Sequence, residues 1–148
     1  GKGWGWQAET MFRIALFALM IFSAAPAWSD EVAIPSPGGL PLRAVIVPAA
    51  PGVAPRPPVI ALHGCAGLAA FPRLPAREAD WARRLAALGH TVVFPDSFGS
   101  RGIPEVCRRG DAGVRPEVER RADALAAAAW AAAQPFAPTG QGGFVMGW

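Results

Sequence analysis

Short apolar runs along the chain predict strands. They are LRAVIV at residues 42–47, VIAL at 59–62, TVVFP at 91–95 and GFVMGW at 143–148. The first is rich in β-branched residues, and the runs at 59–62 and 91–95 are apolar throughout, as expected of strands covered on both faces. Proline and glycine flank these runs and mark the intervening turns.

Two segments predict helices, at residues 76–88 and 116–134. Acidic residues near the start of each segment and Gly89 after the first are typical of helix ends. Pro116 suits a first helical position. The apolar positions at helical spacing are Trp81, Leu85 and Leu88 in the first segment, and Val118, Ala122, Leu125 and Ala129 in the second.

The order of these elements predicts an α/β fold. Residues 30–41 are rich in proline and glycine, and we expect an extended entry rather than a regular element. Too few residues separate 42–47 from 59–62 for a crossover helix, so an antiparallel hairpin is the simpler pairing. The two later crossovers through helices are of the parallel type. A long polar connection at 103–115 is of the kind that often covers an active site.

The chain begins with a segment that predicts export. From Met11, an arginine is followed by an apolar stretch at 14–22 and then by small residues up to Ser29, which is the layout of a signal peptide. The stretch is well short of the roughly 20 residues that span a bilayer, so a retained membrane anchor is the lesser alternative. Residues 1–10 match no targeting pattern and are excluded from the fold. One domain at 30–148 remains, with a periplasmic or secreted location.

The charge distribution argues against one class of partner, and the cysteine content predicts a disulfide. The net charge of +3 comes from scattered arginines without aromatic interleaving, so a nucleic-acid partner is not expected. Cys65 and Cys107 are the two cysteines of the chain. Because an exported protein meets an oxidising compartment, we expect them to form a disulfide.

The residues with chemical potential do not form a complete site by themselves. His63, Asp96 and Ser97 occur in the order of a catalytic triad, but neighbouring side chains at a strand end point to opposite faces. We therefore expect His63 to brace the loop after its strand and Asp96 to fix the loop at 97–102. His90 is expected on the surface before a strand.

Neither a metal nor a cofactor is expected. The histidines and cysteines lack the short paired spacings of zinc sites. Residues 64–67 do not make the glycine fingerprint of a dinucleotide-binding loop.

Taken in order, HGCAG at 63–67, DWARRLAALGH at 80–90, TVVFPDSFGSRG at 91–102, a downstream cysteine, an alanine-rich helix and FVMGW at 144–148 resemble the front half of a dienelactone hydrolase. The resemblance covers residues 42–148. It implies the α/β-hydrolase fold, here truncated after the strand that leads to the nucleophile elbow, and a small-molecule ester or lactone as substrate.

The resemblance also assigns roles to individual residues. Gly147 and Trp148 match the first two positions of the G-x-S-x-G elbow, so the serine or cysteine nucleophile would come next, with the acid and histidine further on. The loop after the strand at 59–62 would supply an oxyanion-hole N–H, from Cys65 or, as second choice, Ala66. On this basis the 148 residues contain no nucleophile, triad acid or catalytic histidine.

Two residues are predicted at a substrate entrance from their position alone. They are Phe98 and Arg101, beside the connection at 103–115. The resulting hypothesis is an exported hydrolase acting through an acyl-enzyme, of which this fragment is inactive by itself. The alternative is an exported non-catalytic α/β module, either a decayed hydrolase or a binding protein.

Overall fold

The computed structural model of the protein describes residues 30–108 and 113–148. The predicted signal peptide at 11–29, the excluded residues 1–10 and part of the predicted connection at 103–115 lie outside the described residues.

A mixed five-stranded sheet with flanking helices forms the fold. The strands are β1 (Asp30–Ile34), β2 (Leu42–Val47), β3 (Arg56–Leu62), β4 (His90–Pro95) and β5 (Phe144–Gly147). Their order in the sheet is β1-β2-β4-β3-β5. β3 is parallel to both β4 and β5, which confirms the two predicted crossovers. β1 and β2 run antiparallel to their neighbours.

The opening part of the sheet differs from the prediction in two ways. β2 pairs with β4, with Val47 opposite Val92, so the expected hairpin between residues 42–47 and 59–62 is wrong. Both edges of β3 are taken by its parallel partners β4 and β5, which leaves no place there for β2. The expected irregular entry is also wrong, because Asp30–Ile34 forms β1 along the other edge of β2.

The core has two layers, one on each face of the sheet. Side chains of successive strand residues alternate between the layers, as the strand period of two requires. One layer contains Val45, Val47, Val59, Ala61, Val92 and Phe94 beneath the first helix. The other contains Ala44, Ile46, Ile60 and Val93 beneath the second helix. The helices therefore cover opposite faces.

The two predicted helices are confirmed as α1 (Ala76–Ala87) and α2 (Arg121–Ala132). A π-helical turn, Pro116–Arg120, leads into α2. Gly89 follows α1 with a φ of 94°, a left-handed conformation that a side chain would strain. No helix in the described ranges has the length and apolar character that crossing a membrane requires.

The faces that these helices bury differ from the predicted ones, although Leu85 of the first predicted stripe is partly buried against the core. Of the predicted stripes, Trp81 is 43% exposed, Leu88 54% and Leu125 56%. The side chains packed on the sheet are small: Ala82 and Ala86 in α1, and Ala127 and Ala131 in α2. Helices that approach a sheet closely leave room for alanine and not for leucine. Trp81, Leu88 and Leu125 are thus left on the outer face.

Candidate active site

The carboxyl ends of the parallel strands β3, β4 and β5 meet at one edge of the sheet. Residues 63–67 follow β3, residues 96–102 follow β4, and Trp148 follows β5. In α/β sheets, ligands bind in the crevice beyond this edge. The segments singled out by the sequence are therefore brought together where a site is expected.

His63 joins the ends of β3 and β4. Its ring is buried, and Nε2 accepts a hydrogen bond from the Ser97 backbone N–H at 3.2 Å. Nδ1 lies 2.8 Å from the Gly64 carbonyl oxygen. The Phe98 ring packs against the imidazole with centroids 4.5 Å apart. The imidazole thus braces the loop after its strand, as predicted.

The pKa of His63 is lowered chiefly because burial removes the ring from water. The hydrogen bond to Gly64 acts in the opposite direction. The positive charge of Arg120 lowers the pKa further, while Asp96 and Asp123 raise it. The net effect favours an uncharged imidazole at neutral pH.

Asp96 fixes the loop after β4. Its Oδ2 accepts hydrogen bonds from Nε and Nη2 of Arg43, at 2.9 and 2.6 Å, and its Oδ1 accepts the Gly99 N–H at 2.9 Å. Nε2 of His63 is 3.9 Å from Oδ1. Because the Ser97 backbone occupies Nε2, the arrangement of His63, Asp96 and Ser97 is that of a structural brace and not of a triad.

The loop predicted to carry the oxyanion donors is a tight turn at 64–67. The Gly67 N–H donates to the Gly64 carbonyl at 3.1 Å, and Gly67 has a φ of 68°. Cys65 and Ala66 are exposed. Within the described part of the chain, their backbone N–H groups donate no hydrogen bond. Two exposed amide donors are therefore left for a ligand.

A cavity of about 550 Å³ adjoins this turn. Its lining includes the turn itself, Trp148, and the paired side chains of Arg77 and Glu78, whose charged atoms are 2.7 Å apart. The Arg77 guanidinium also lies 5.1 Å from the centre of the Trp148 ring. The turn that carries the two amides thus lines a space large enough for a small molecule.

The end of β5 lies beside the turn. Gly147 is in register with Leu62, the last residue of β3. A Cβ placed on Gly64 would be 3.5 Å from the Trp148 carbonyl oxygen, so the two backbones are neighbours. The predicted first positions of the elbow, Gly147 and Trp148, are therefore brought next to the predicted oxyanion loop.

The predicted pairing of Cys65 with Cys107 is present as a disulfide, with the Cα atoms 4.9 Å apart. The Val106 N–H also donates to the Cys65 carbonyl at 2.9 Å. The connection after β4 is thus tethered to the turn both covalently and by its backbone.

The two residues predicted at a substrate entrance are held inside the loop structure. Phe98 is 1% exposed and packs on His63, so its ring does not line an opening. Arg101 donates to both carboxylate oxygens of buried Asp123, at 2.7 and 3.0 Å, and to the Ser97 carbonyl at 2.7 Å. Hydrogen bonding to Asp123 raises the pKa of Arg101. These contacts tie the loop after β4 to α2.

Sequence reasoning missed several residues of this region and, besides Phe98 and Arg101, misplaced His90. Asp123 could have been found from the sequence, because it is a lone acidic residue in an alanine-rich helix. Arg43 and Arg120 carried none, because their partners come from distant segments; Arg120 donates to the His63 carbonyl. His90 is not a surface residue before a strand. It begins β4, half-buried, with Nδ1 2.7 Å from the Pro57 carbonyl oxygen.

Comparison with known proteins gives structural neighbours. No family model and no curated protein matches the chain. An α/β serine hydrolase without a lid from Xanthomonas campestris is 25% identical, with a TM-score of 0.52, over 84% of this chain and 52% of that one.

Two further neighbours are dienelactone hydrolase-like. A protein assigned as a dienelactone hydrolase from Klebsiella pneumoniae has 21% identity and a TM-score of 0.54, over 82% of this chain and 49% of that one. A dienelactone hydrolase-like promiscuous phosphotriesterase from metagenomic libraries has 22% identity and a TM-score of 0.57, over 82% and 48%.

These neighbours define the class of the fold. The protein has an α/β-hydrolase-type fold, and its neighbours are dienelactone hydrolase-like and α/β serine hydrolase proteins. The chain spans about half the length of the solved structures that it matches. The fold predicted from the resemblance is therefore confirmed.

Proposed function

We propose that the protein is part of a hydrolase of carboxylic esters or lactones that works through an acyl-enzyme. The observation that carries this proposal is the pair of free, exposed amides at Cys65 and Ala66 beside the end of β5. Hydrolases among the structural neighbours favour this function over a non-catalytic module.

In the proposed reaction, a serine or cysteine directly after Trp148 attacks the carbonyl carbon of the substrate. The carbonyl oxygen becomes negatively charged, and the Cys65 N–H, or the Ala66 N–H as second choice, donates a hydrogen bond to it. The second donor is the backbone N–H of the residue after the nucleophile. One such donor contributes about 3 to 4 kcal/mol to the transition state.

Proton transfer and breakdown of the acyl-enzyme need a histidine and an acid. The described histidines do not suit this role: both imidazoles already hold backbone groups, His63 at Gly64 and Ser97 and His90 at Pro57. In the proposal, the catalytic histidine and acid come after the nucleophile in the chain, as is usual in this fold. The substrate is a small-molecule ester or lactone.

The proposed location is outside the cytoplasm, in the periplasm or secreted. The segment at 11–29 has the layout of a signal peptide. The disulfide between Cys65 and Cys107 supports this proposal, because such bonds persist in oxidising compartments. Detection of the unprocessed chain in the cytoplasm alone would contradict it.

The proposed activity is tested with a nitrophenyl ester. A chain of residues 30–148 should give no turnover above background, whereas a longer chain that continues through Trp148 should hydrolyse the ester. Replacing the residue directly after Trp148 by alanine in the longer chain should abolish turnover. Measurable turnover by residues 30–148 would place the active site elsewhere.

A further inference from the structure

The peptide unit between Gly64 and Cys65 is held from one side by a buried side chain. His63 Nδ1 is 2.8 Å from the Gly64 carbonyl oxygen, which also accepts the Gly67 N–H of the turn at 3.1 Å. The His63 carbonyl accepts a hydrogen bond from Arg120, and the His63 ring is 1% exposed beneath Phe98. The imidazole therefore has a fixed position from which to orient this peptide unit.

The hydrogen bonds define the tautomer of His63. The Ser97 backbone N–H can only donate, so Nε2, at 3.2 Å, is the acceptor and carries no proton. In a neutral imidazole the proton is then on Nδ1, which donates it to the Gly64 carbonyl. Burial favours this neutral form.

The bond to the Gly64 carbonyl also sets the direction of the next amide. The Gly64–Cys65 peptide bond is trans, and in a planar trans unit the C=O and N–H bonds point in opposite directions. Because the carbonyl points at the His63 ring, the Cys65 N–H points away from it. This N–H is one of the two free amide donors of the turn.

We propose that His63 is a positioning residue for the oxyanion hole, whose Nδ1–H holds the Gly64 carbonyl and so aims the Cys65 N–H at the substrate oxygen. This inference rests on the proposed hydrolase function. Its acceptor Nε2 has a separate task, which is to hold the loop after β4 through Ser97.

Two substitutions separate these tasks. In His63→Asn, the side-chain amide nitrogen is bonded to Cγ, as Nδ1 is, and can still donate to Gly64. In His63→Gln, the amide is one bond further out, where its oxygen can accept from Ser97 but its nitrogen does not reach Gly64, whose carbonyl then keeps only the Gly67 N–H. Each variant keeps one of the two hydrogen bonds, so a purely structural role predicts similar losses in both.

The catalytic test uses the longer chain that continues through Trp148. We expect kcat for a nitrophenyl ester to fall about 100-fold in His63→Gln, with KM little changed, and by less than about 10-fold in His63→Asn. Equal kcat values in the two variants would overturn the proposal. So would a change confined to KM.

A second measurement on residues 30–148 keeps the inference independent of activity. Nitrogen NMR of unsubstituted His63 should show a protonated Nδ1 and a bare Nε2, with Nδ1 coupled to the Gly64 carbonyl. A protonated Nε2 would overturn the proposal even if the variants fail to fold. If the longer chain is inactive while the NMR result holds, the proposed function fails and the orientation of the amide stands.

Discussion

Removal of the disulfide is expected to destabilise the protein substantially. Cys65 and Cys107 are separated by 42 positions in the chain, so the bond closes a long loop in the unfolded state. In the chain-entropy relation, a loop of this length lowers the entropy of the unfolded state by about 13 cal/mol/K. The double variant Cys65→Ser/Cys107→Ser should therefore lose about 4 kcal/mol of the free energy of unfolding.

Urea denaturation of residues 30–148, followed by circular dichroism, measures this loss. With an m-value of about 2 kcal/mol/M, the midpoint of the variant should fall by about 2 M. Dithiothreitol should lower the midpoint of the unsubstituted chain to that of the variant and leave the variant unchanged. That second comparison is the control for effects of serine itself.

The reasoning is refuted if the variant and the unsubstituted chain differ by less than about 1 kcal/mol. The unfolded chain would then be about as restricted without the disulfide as with it. The entropy of the unfolded state would not be what the disulfide changes.

Two further predictions concern α2 and His63. Ala127→Leu should lower the free energy of unfolding by about 1 to 3 kcal/mol, because Ala127 is fully buried against the sheet. Leu125→Ala, at an exposed position, should change it by less than about 0.5 kcal/mol in the same urea titration, and the reverse ranking would restore the predicted helix face. His63 has a lowered pKa in the folded state, so its unfolded form takes up a proton first as pH falls below about 6.5. Stability should therefore fall from pH 8 to pH 5.5 more steeply in the unsubstituted chain than in His63→Asn, and parallel profiles would show that His63 does not titrate in this way.

The sequence predicted which segments form helices, but not which of their faces are buried. Periodic large apolar residues favoured Trp81 and Leu125, whereas the fully buried apolar positions of both helices are alanines. Composition is the reason in α2, where eight of the twelve residues are alanine and several faces are apolar enough to pack. The separation between helix and sheet then decides among them, and the sequence does not contain that distance.

For the strands, the sequence likewise predicted where they lie in the chain but not how they pair. Residues 42–47 and 59–62 were recognisable as strands from their own composition. The place of β2 beside β4 depends on β3 having parallel partners on both edges, which no local pattern records. The proline and glycine of residues 30–41 predicted an irregular segment, although Asp30–Ile34 forms β1 by pairing with β2.

The candidate site was predictable where backbone geometry determines it. Residues 64–67 and Gly147 were placed correctly at the strand ends because glycine and a strand end fix their position. The buried contacts of Arg101 with Asp123 and of Arg43 with Asp96 were not, since each joins residues that are far apart in the chain. The sequence indicated a role for Asp96 and for Arg101 but not which residue each of them pairs with.

The edge of the sheet at β5 is open, and pairing of another strand there would affect the candidate site. Among the described strands, β5 pairs only with β3, and Phe144 and Val145 are 58% and 57% exposed. An open strand with apolar side chains recruits another strand. Any strand that pairs there would also set the position of Gly147 relative to the turn at 64–67. Coverage of this edge and the position of Gly147 beside the turn at 64–67 are thus one structural event.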